Sequence, residues 1–172
     1  MPSLKHFILD VDGVFTDGKF YYTAEGKVMK LFGPDDHDAL LLIKKHLNIL
    51  MVTGDKKGFE ISKKRVETDM HFPLHMVSTH ERVEWIRQRF DPQEVVYMGD
   101  GIFDAKVFSE VGYCIAPANA FFKTKELANF VTEKEGGAGA VAEACWHLAE
   151  KFFTPLDLSG MKLNAGQGEW GK

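Results

Sequence analysis

Short apolar segments alternate with segments of helical periodicity along most of this chain. The apolar segments predict buried β-strands at Lys5–Val11, Asn48–Thr53, Val95–Met98, Tyr113–Ala116 and Asn129–Val131. The segments between them predict helices at Asp36–His46, Lys57–Glu67, Thr79–Phe90, Ile102–Glu110, Phe121–Leu127 and Ala138–Phe153. Strands separated by helices indicate an α/β fold, with a mainly parallel sheet covered by helices on both faces. Ligands of such folds bind beyond the carboxyl ends of the strands.

The first helix is preceded by a different pattern. Two short apolar segments, Phe20–Tyr22 and Val28–Phe32, flank a turn that contains Gly26, and they predict a β-hairpin flap over about residues 18–32. Residues 1–153 are expected to form one domain. The glycine-rich tail, residues 154–172, is interpreted either as a disordered end or as an arm that docks on a neighbouring subunit.

Composition excludes several classes of protein. With 172 residues and a formal net charge of −4, the chain lacks the basic surface that binding to a nucleic-acid backbone requires. Its two cysteines are too few for a disulfide framework. No apolar stretch approaches the roughly 20 residues of a membrane helix, and no signal peptide is visible. We therefore expect a cytoplasmic protein with neither nucleic-acid nor membrane partners.

The first predicted strand leads into two carboxylates one residue apart. Asp10 and Asp12 lie on one face of an extended chain, so both can approach one bound group, and Gly13 allows the chain to bend around a small anion. One carboxylate can attack phosphorus while the other protonates the leaving oxygen. Such a pair would repel a phosphate, which implies a divalent cation, and oxygen ligands favour Mg²⁺. The alternative is a turn that merely ends a strand.

Two further strand ends carry complementary chemistry. Asp100 directly follows the third strand, and Asp104 lies one helical turn further on. Thr53 and Gly54 end the second strand and offer a hydroxyl and a backbone N–H to a phosphate oxygen. Because these ends meet at one edge of a parallel sheet, they predict a phosphate and metal site.

Four motifs together resemble the haloacid dehalogenase superfamily, and within it the capless branch of 3-deoxy-ulosonate phosphatases. The motifs are Asp10-x-Asp12-Gly13-Val14-x-Thr16-Asp17-Gly18, Val52-Thr53-Gly54, Gly99-Asp100 with Asp104, and Gly136-Gly137-x-Gly139-Ala140-Val141. The resemblance covers about residues 5–150 and implies a Rossmann-like fold without a cap domain. Enzymes of this branch hydrolyse 3-deoxy-manno-octulosonate 8-phosphate or nine-carbon sialic-type 9-phosphates.

The resemblance implies catalytic roles for Asp10, Asp12 and Thr53. Asp10 would form an aspartyl-phosphate and contact Mg²⁺. Asp12 would be the general acid and base, and its backbone carbonyl would also bind the metal. Thr53 would bind the phosphoryl oxygens.

The resemblance also implies that Asp100 binds Mg²⁺ directly and that Asp104 supports the metal site. The superfamily places a cation, usually lysine, at the start of the helix before the Gly-Asp strand. No lysine stands there in this chain. Arg82 is the candidate, because a guanidinium neutralises the same charge. A solvated helix residue is the alternative.

Substrate contacts are expected from Thr16, Gly54, Asp55 and Asp36. The enzymes that act on octulosonate phosphates usually carry arginine at the position of Asp55. An acidic residue at this position is more typical of the enzymes that act on nine-carbon sugar acid phosphates. The family also usually carries arginine at the position of Ala142.

The spacing between motifs leaves no room for a lid domain. Family members of this kind are homotetramers in which a neighbouring subunit completes the pocket, and the hairpin and tail are the candidates for that contact. The alternative is an open site that faces a bulky substrate. The leading interpretation is a Mg²⁺-dependent phosphomonoesterase that acts on a phosphorylated sugar acid or related sugar phosphate. The alternative is a catalytically weak tetramerisation module associated with nucleotide-sugar synthesis of the CMP-sialate type.

Overall fold

A six-stranded parallel sheet forms the centre of the computed structural model, which describes residues 3–156. In spatial order its strands are β5 (Leu74–Met76), β4 (Asn48–Thr53), β1 (His6–Asp10), β6 (Val95–Met98), β7 (Tyr113–Ala116) and β8 (Phe130–Val131). A separate antiparallel hairpin contains β2 (Tyr21–Thr23) and β3 (Gly26–Met29). The helices are α1 (Asp35–Ile43), α2 (Phe59–Lys63) with a π-helical continuation (Lys64–Asp69), α3 (Arg82–Arg87), α4 (Asp104–Phe108), α5 (Phe122–Leu127) and α6 (Ala140–Phe152).

The interior of the central strands is apolar because both faces of the sheet are covered. Phe7 and Leu9 of β1 pack into a cluster with α1 and α6, whereas Ile8 packs into a second cluster with side chains of α3 and α4. Alternate residues of a strand point to opposite faces, so a strand between two helical layers needs apolar residues at every position. The predicted parallel sheet with helices on both faces is thereby confirmed.

One strand and several helix ends differ from the sequence-based expectation. The edge strand β5 was not predicted, because the three residues that follow Pro73 are too few to show the alternating pattern of a strand. The helix predicted over Thr79–Phe90 begins only at Arg82, since the preceding residues form a turn in which the Glu81 N–H donates to Ser78 O at 2.9 Å.

The segment between β1 and β4 contains only the hairpin and α1, as expected for a chain without a cap domain. None of the helices in residues 3–156 combines the length and apolar character needed to cross a membrane. Of the proposed tail, residues 157–172 lie outside the described residues.

Candidate active site

The carboxyl ends of three adjacent strands bring the predicted site residues together. In the sheet, β1 lies between β4 and β6, and Asp10 at the end of β1 pairs in register with Val52, next to Thr53. Asp100 follows β6 on the other side. The parallel register therefore gathers the carboxylates and the Thr53 hydroxyl at one edge of the sheet.

A buried arginine contacts two of these carboxylates. Arg82 is the first residue of α3 and only 2% exposed, and its guanidinium binds Asp10 through two parallel hydrogen bonds of 2.6 and 2.9 Å. Arg82 Nη1 also donates to Asp104 Oδ1 at 2.8 Å. Paired contacts of this kind fix the orientation of a carboxylate as well as its charge. Arg82 thus lies where a cation was predicted.

Tyr97 is a third partner of the Arg82 guanidinium. Its hydroxyl accepts from Arg82 Nη1 at 2.7 Å and donates to Asp104 Oδ1 at 2.7 Å, deep in the core. The other oxygen of Asp104 accepts from the Gly101 N–H at 2.8 Å. These bonds hold Asp104 and Arg82 in one arrangement behind Asp10.

Asp10, Asp100 and Asp104 form an acidic cluster in which one oxygen of each lies within 4.8 Å of the others. Burial, together with the negative charges of Asp10 and Asp104, raises the pKa of Asp100 to about 8. Burial also raises the pKa of Asp10, whereas the Arg82 guanidinium opposes that shift. Within residues 3–156, no lysine or arginine forms an ion pair with Asp100. Three converging carboxylates, one without a cationic partner, fit the oxygen donor set of Mg²⁺.

The loop after β1 depends on a glycine in the left-handed region. Gly13 has a φ of +86°, and a Cβ there would lie 2.0 Å from Asp100 Oδ2. Thr16 fastens this loop, because its Oγ1 accepts from the N–H groups of Gly13 at 3.1 Å and Gly18 at 3.3 Å. Since Thr16 is 2% exposed, its observed role is to shape the loop. Its substrate contact stays a prediction.

Both oxygens of the Asp12 carboxylate have partners. Lys30, which follows β3 of the hairpin, lies 2.7 Å from Asp12 Oδ1. The Thr53 hydroxyl donates to Asp12 Oδ2 at 3.0 Å and accepts from the Asp55 N–H at 3.1 Å. The observed contact of Thr53 is therefore to the carboxylate, and its contact with a phosphoryl group stays a prediction.

Asp55 joins the hairpin to the domain core. Its Oδ2 lies 2.5 Å from Lys27 Nζ and 2.9 Å from Lys30 Nζ. Burial alone would raise the pKa of Asp55, but hydrogen bonds from the two lysines lower it to about 2. Asp55 therefore carries its negative charge next to two positive ones. Gly54, just before it, is exposed at the end of β4, where its backbone can meet a ligand.

Asp36 lies inside the protein instead of in an open pocket. It is 1% exposed, and its Oδ1 accepts from the Ala142 N–H at 3.0 Å in the first turn of α6. Burial raises the pKa of Asp36 to about 6. This contact caps a helix that has no side-chain cap of its own. A substrate contact by Asp36 would require this residue to become exposed, and it stays a prediction.

The glycine-rich segment before α6 packs against the loop after β1. A Cβ at Gly136 would lie 2.1 Å from Gly13 O, so only glycine permits this approach. Asn119 bridges the two segments: its Nδ2 donates to Gly13 O at 3.0 Å and its Oδ1 accepts from the Gly136 N–H at 2.7 Å. The glycines thus support the site from behind.

Lys30, Tyr97 and Asn119 were not predicted as site residues. A lysine between apolar neighbours in Met29-Lys30-Leu31 and a tyrosine in an otherwise aliphatic strand are weak signals for burial of a polar group. Asn119 lies in a loop, and the sequence around it carries no signal for its contacts with Gly13 and Gly136.

Comparison with known proteins identifies relatives of the whole domain. A family model described as haloacid dehalogenase-like hydrolase matches residues 86–144. The 3-deoxy-D-manno-octulosonate 8-phosphate phosphatase of Yersinia pestis is 30% identical over 150 residues, which are 83% of this chain and 78% of that protein.

Solved structures agree with this similarity. The phosphatase of the same name from Moraxella catarrhalis, solved with a magnesium ion, a phosphate ion and KDO, superimposes with a TM-score of 0.72 at 25% identity, covering 87% of each chain. The cobalt-bound deoxy-D-mannose-octulosonate 8-phosphate phosphatase of Haemophilus influenzae has a TM-score of 0.74 at 24% identity, over 87% of this chain and 89% of that one. The latter similarity establishes the fold.

Proposed function

We propose that this chain cleaves a phosphate ester through an aspartyl-phosphate at Asp10. The chain belongs to the haloacid dehalogenase-like hydrolases and, within them, to the branch of the 3-deoxy-D-manno-octulosonate 8-phosphate phosphatases. The reaction class is phosphoric monoester hydrolysis with Mg²⁺ as the cofactor. The observation that carries the proposed mechanism is the Asp10 carboxylate, held by the Arg82 fork within an acidic cluster and two residues from a second carboxylate.

Asp10 and Asp12 divide the chemistry between them. In the first step an Asp10 oxygen bonds to phosphorus, the bond from phosphorus to the ester oxygen breaks, and Asp12 gives its proton to that leaving oxygen. In the second step water attacks phosphorus and returns a proton to Asp12, while the bond from Asp10 to phosphorus breaks. Phosphate and an alcohol leave, and both carboxyl groups are restored.

Asp10, Asp100 and the backbone carbonyl of Asp12 are the proposed ligands of Mg²⁺. The bound ion supplies positive charge that offsets the repulsion between these carboxylates and the phosphate. Asp104 supports the site by holding Arg82, whose two bonds to Asp10 keep that carboxylate oriented. Proposed contacts to the phosphoryl oxygens come from the Thr53 hydroxyl and the backbone of Gly54.

The proposed substrate is the phosphate of an eight- or nine-carbon 3-deoxy-ulosonate. The names of the relatives support the eight-carbon acid, whereas the acidic residue Asp55 is more similar to the nine-carbon branch. Asp55 is already bound by two lysines, so its charge opposes a substrate carboxylate less than a free aspartate would. A small-molecule substrate of this kind suits a cytoplasmic enzyme.

We further propose that the active form is a homotetramer. Support comes from the hairpin and its flanks, where five large apolar side chains are half exposed or more: Phe20, Tyr22, Val28, Met29 and Leu31. A concentration of exposed apolar side chains in one short segment is typical of a contact with another protein. Size-exclusion chromatography with light scattering tests the assembly, and a clean monomer would contradict it.

Phosphate release from a panel of sugar phosphates tests the function directly. We expect the wild type with Mg²⁺ to hydrolyse a 3-deoxy-ulosonate phosphate and Asp10→Asn to be inactive. The matched control is Asp69→Asn, because Asp69 is an exposed carboxylate paired with Lys64 on the π-helical segment. An inactive wild type that still forms tetramers would instead favour the tetramerisation module, and activity in Asp10→Asn would refute the mechanism.

A further inference from the structure

Lys30 is a buried lysine whose three ammonium hydrogens have three acceptors. Its side chain is 2% exposed, and its Nζ lies 2.7 Å from Asp12 Oδ1, 2.9 Å from Asp55 Oδ2 and 2.8 Å from Ser62 Oγ. A lysine is almost never buried unless it is paired in this way. With every donor occupied inside the protein, Lys30 has no N–H left for a substrate.

The structure around Lys30 accommodates this one side chain closely. A Cβ at Gly58 would lie 2.7 Å from Lys30 Cε and 2.3 Å from Asp55 Oδ2, so a larger residue would displace both. Ser62 is fully buried and donates to Gly58 O at 3.3 Å, which leaves its oxygen free to accept from Lys30. Asp55 is held in turn by the Gly58 N–H at 3.0 Å. These contacts fix the ammonium independently of Asp12.

The anchored ammonium determines how the Asp12 carboxylate is oriented. Lys30 holds Oδ1 and the Thr53 hydroxyl holds Oδ2, so the plane of the carboxylate is defined at both ends. A group that delivers a proton must face the leaving oxygen, and a displacement of about 1 Å costs on the order of 10²-fold in rate.

We propose that Lys30, anchored by Asp55 and Ser62, is a positioning residue that aims the Asp12 carboxyl group at the leaving oxygen of the substrate. This inference rests on the proposed function. Lys30 lies just after strand β3 of the hairpin, and Asp12 lies in the loop after β1. The hairpin therefore contributes to the active site of its own subunit through this contact.

The test compares substrates whose leaving groups need protonation to different degrees. A sugar phosphate releases an alkoxide, which requires a proton as it leaves, whereas 4-nitrophenyl phosphate releases a stabilised phenolate. We expect Lys30→Met to lower kcat/KM by about 10²–10³-fold for the sugar phosphate and by about tenfold or less for the nitrophenyl ester. Loss of a phosphate contact or of folding would lower both equally.

Lys27→Met is the matched control. Lys27 is the other buried hairpin lysine bound to Asp55, at 2.5 Å, but the structure gives it no ion pair with Asp12. We expect this variant to change kcat/KM for the two substrates by the same factor. Circular dichroism melts establish whether each variant is folded.

If Lys30→Met does not fold, Ser62→Ala takes its place, because it removes one anchor of the ammonium and leaves the charges intact. We expect a preferential loss of about three- to tenfold for the sugar phosphate, about the effect of one hydrogen bond. Equal losses for both substrates, or no loss, would overturn the inference. A wild type that cleaves neither substrate would refute the proposed function itself.

Discussion

Replacing Asp100 by asparagine should stabilise the protein when no metal ion is present, and the gain should grow with pH. Asp100 lies among other carboxylates without a cationic partner in the described part of the chain. Burial and the charges of Asp10 and Asp104 raise its pKa from 3.8 to about 8. The unfolded chain has no such constraint, so its Asp100 ionises near the ordinary value.

The magnitude follows from the difference between the two pKa values. Between pH 3.8 and about 8 the native state binds a proton that the unfolded state has lost, so the free energy of unfolding falls by about 1.4 kcal/mol per pH unit. At pH 7 the accumulated loss is about 4 kcal/mol. Because the neighbouring carboxylates relax when the charge is removed, we expect Asp100→Asn to gain about 2–4 kcal/mol at pH 7 and almost nothing near pH 4.

Urea unfolding in EDTA at pH 4.5, 6.0 and 7.5, followed by circular dichroism, measures this gain. Asp69→Asn controls for the loss of a surface carboxylate and should show no comparable increase between pH 6.0 and 7.5. Added Mg²⁺ should stabilise the wild type much more than Asp100→Asn, because the variant lacks a metal ligand. A gain that does not change with pH, or a destabilised variant at pH 7.5, would show that the Asp100 carboxyl group does not have the raised pKa.

Three further substitutions test the surroundings of the site. Burial raises the pKa of Asp36 to about 6, so this carboxyl group should lower wild-type stability by up to about 3 kcal/mol between pH 4 and pH 6.5, in addition to the effect of Asp100. Asp36→Asn keeps an acceptor for the Ala142 N–H and should lose only the Asp36 part of this slope in urea unfolding. Parallel stability curves for wild type and variant would contradict this expectation. Gly136→Ala places a Cβ 2.1 Å from Gly13 O. This variant should lower the free energy of unfolding by about 1–3 kcal/mol and should lower kcat at least about tenfold. A variant that melts at the wild-type temperature would contradict the close packing. Tyr97→Phe removes a hydroxyl group that is bound to the Arg82 guanidinium. In steady-state kinetics this variant should lower kcat about 10–100-fold with little change in KM. An unchanged kcat would show that Tyr97 does not help to hold Arg82 in place.

The sheet and most of the site could be predicted because both depend on local patterns. Strands buried on both faces are apolar at every position, which made β1, β4, β6 and β7 visible in the sequence. Parallel strands end at the same edge, so three strand ends were enough to bring Asp10, Thr53 and Asp100 together. Arg82 was expected at the site only because the resemblance places a cation at the start of the helix before the Gly-Asp strand.

The remaining features depend on tertiary contacts that no local pattern records. Lys30 looks like a surface residue of a hairpin until the hairpin folds against Ser62. Asp36 was expected to contact the substrate, yet it is buried and its carboxylate accepts from the Ala142 N–H in the first turn of α6. The strand β5 is short and at the sheet edge, where pairing with β4 defines it more than its composition does.

Asp10 should become phosphorylated during turnover. Rapid acid quenching of the wild type with Mg²⁺ and a hydrolysed sugar phosphate, followed by borohydride reduction and tandem mass spectrometry of the tryptic peptide 6–19, measures this directly. We expect a phosphoryl group on the intact protein and, after reduction, a modification at Asp10 and not at Asp12 or Asp17. Steady phosphate release without any modification of that peptide, or a modification at another residue, would contradict it.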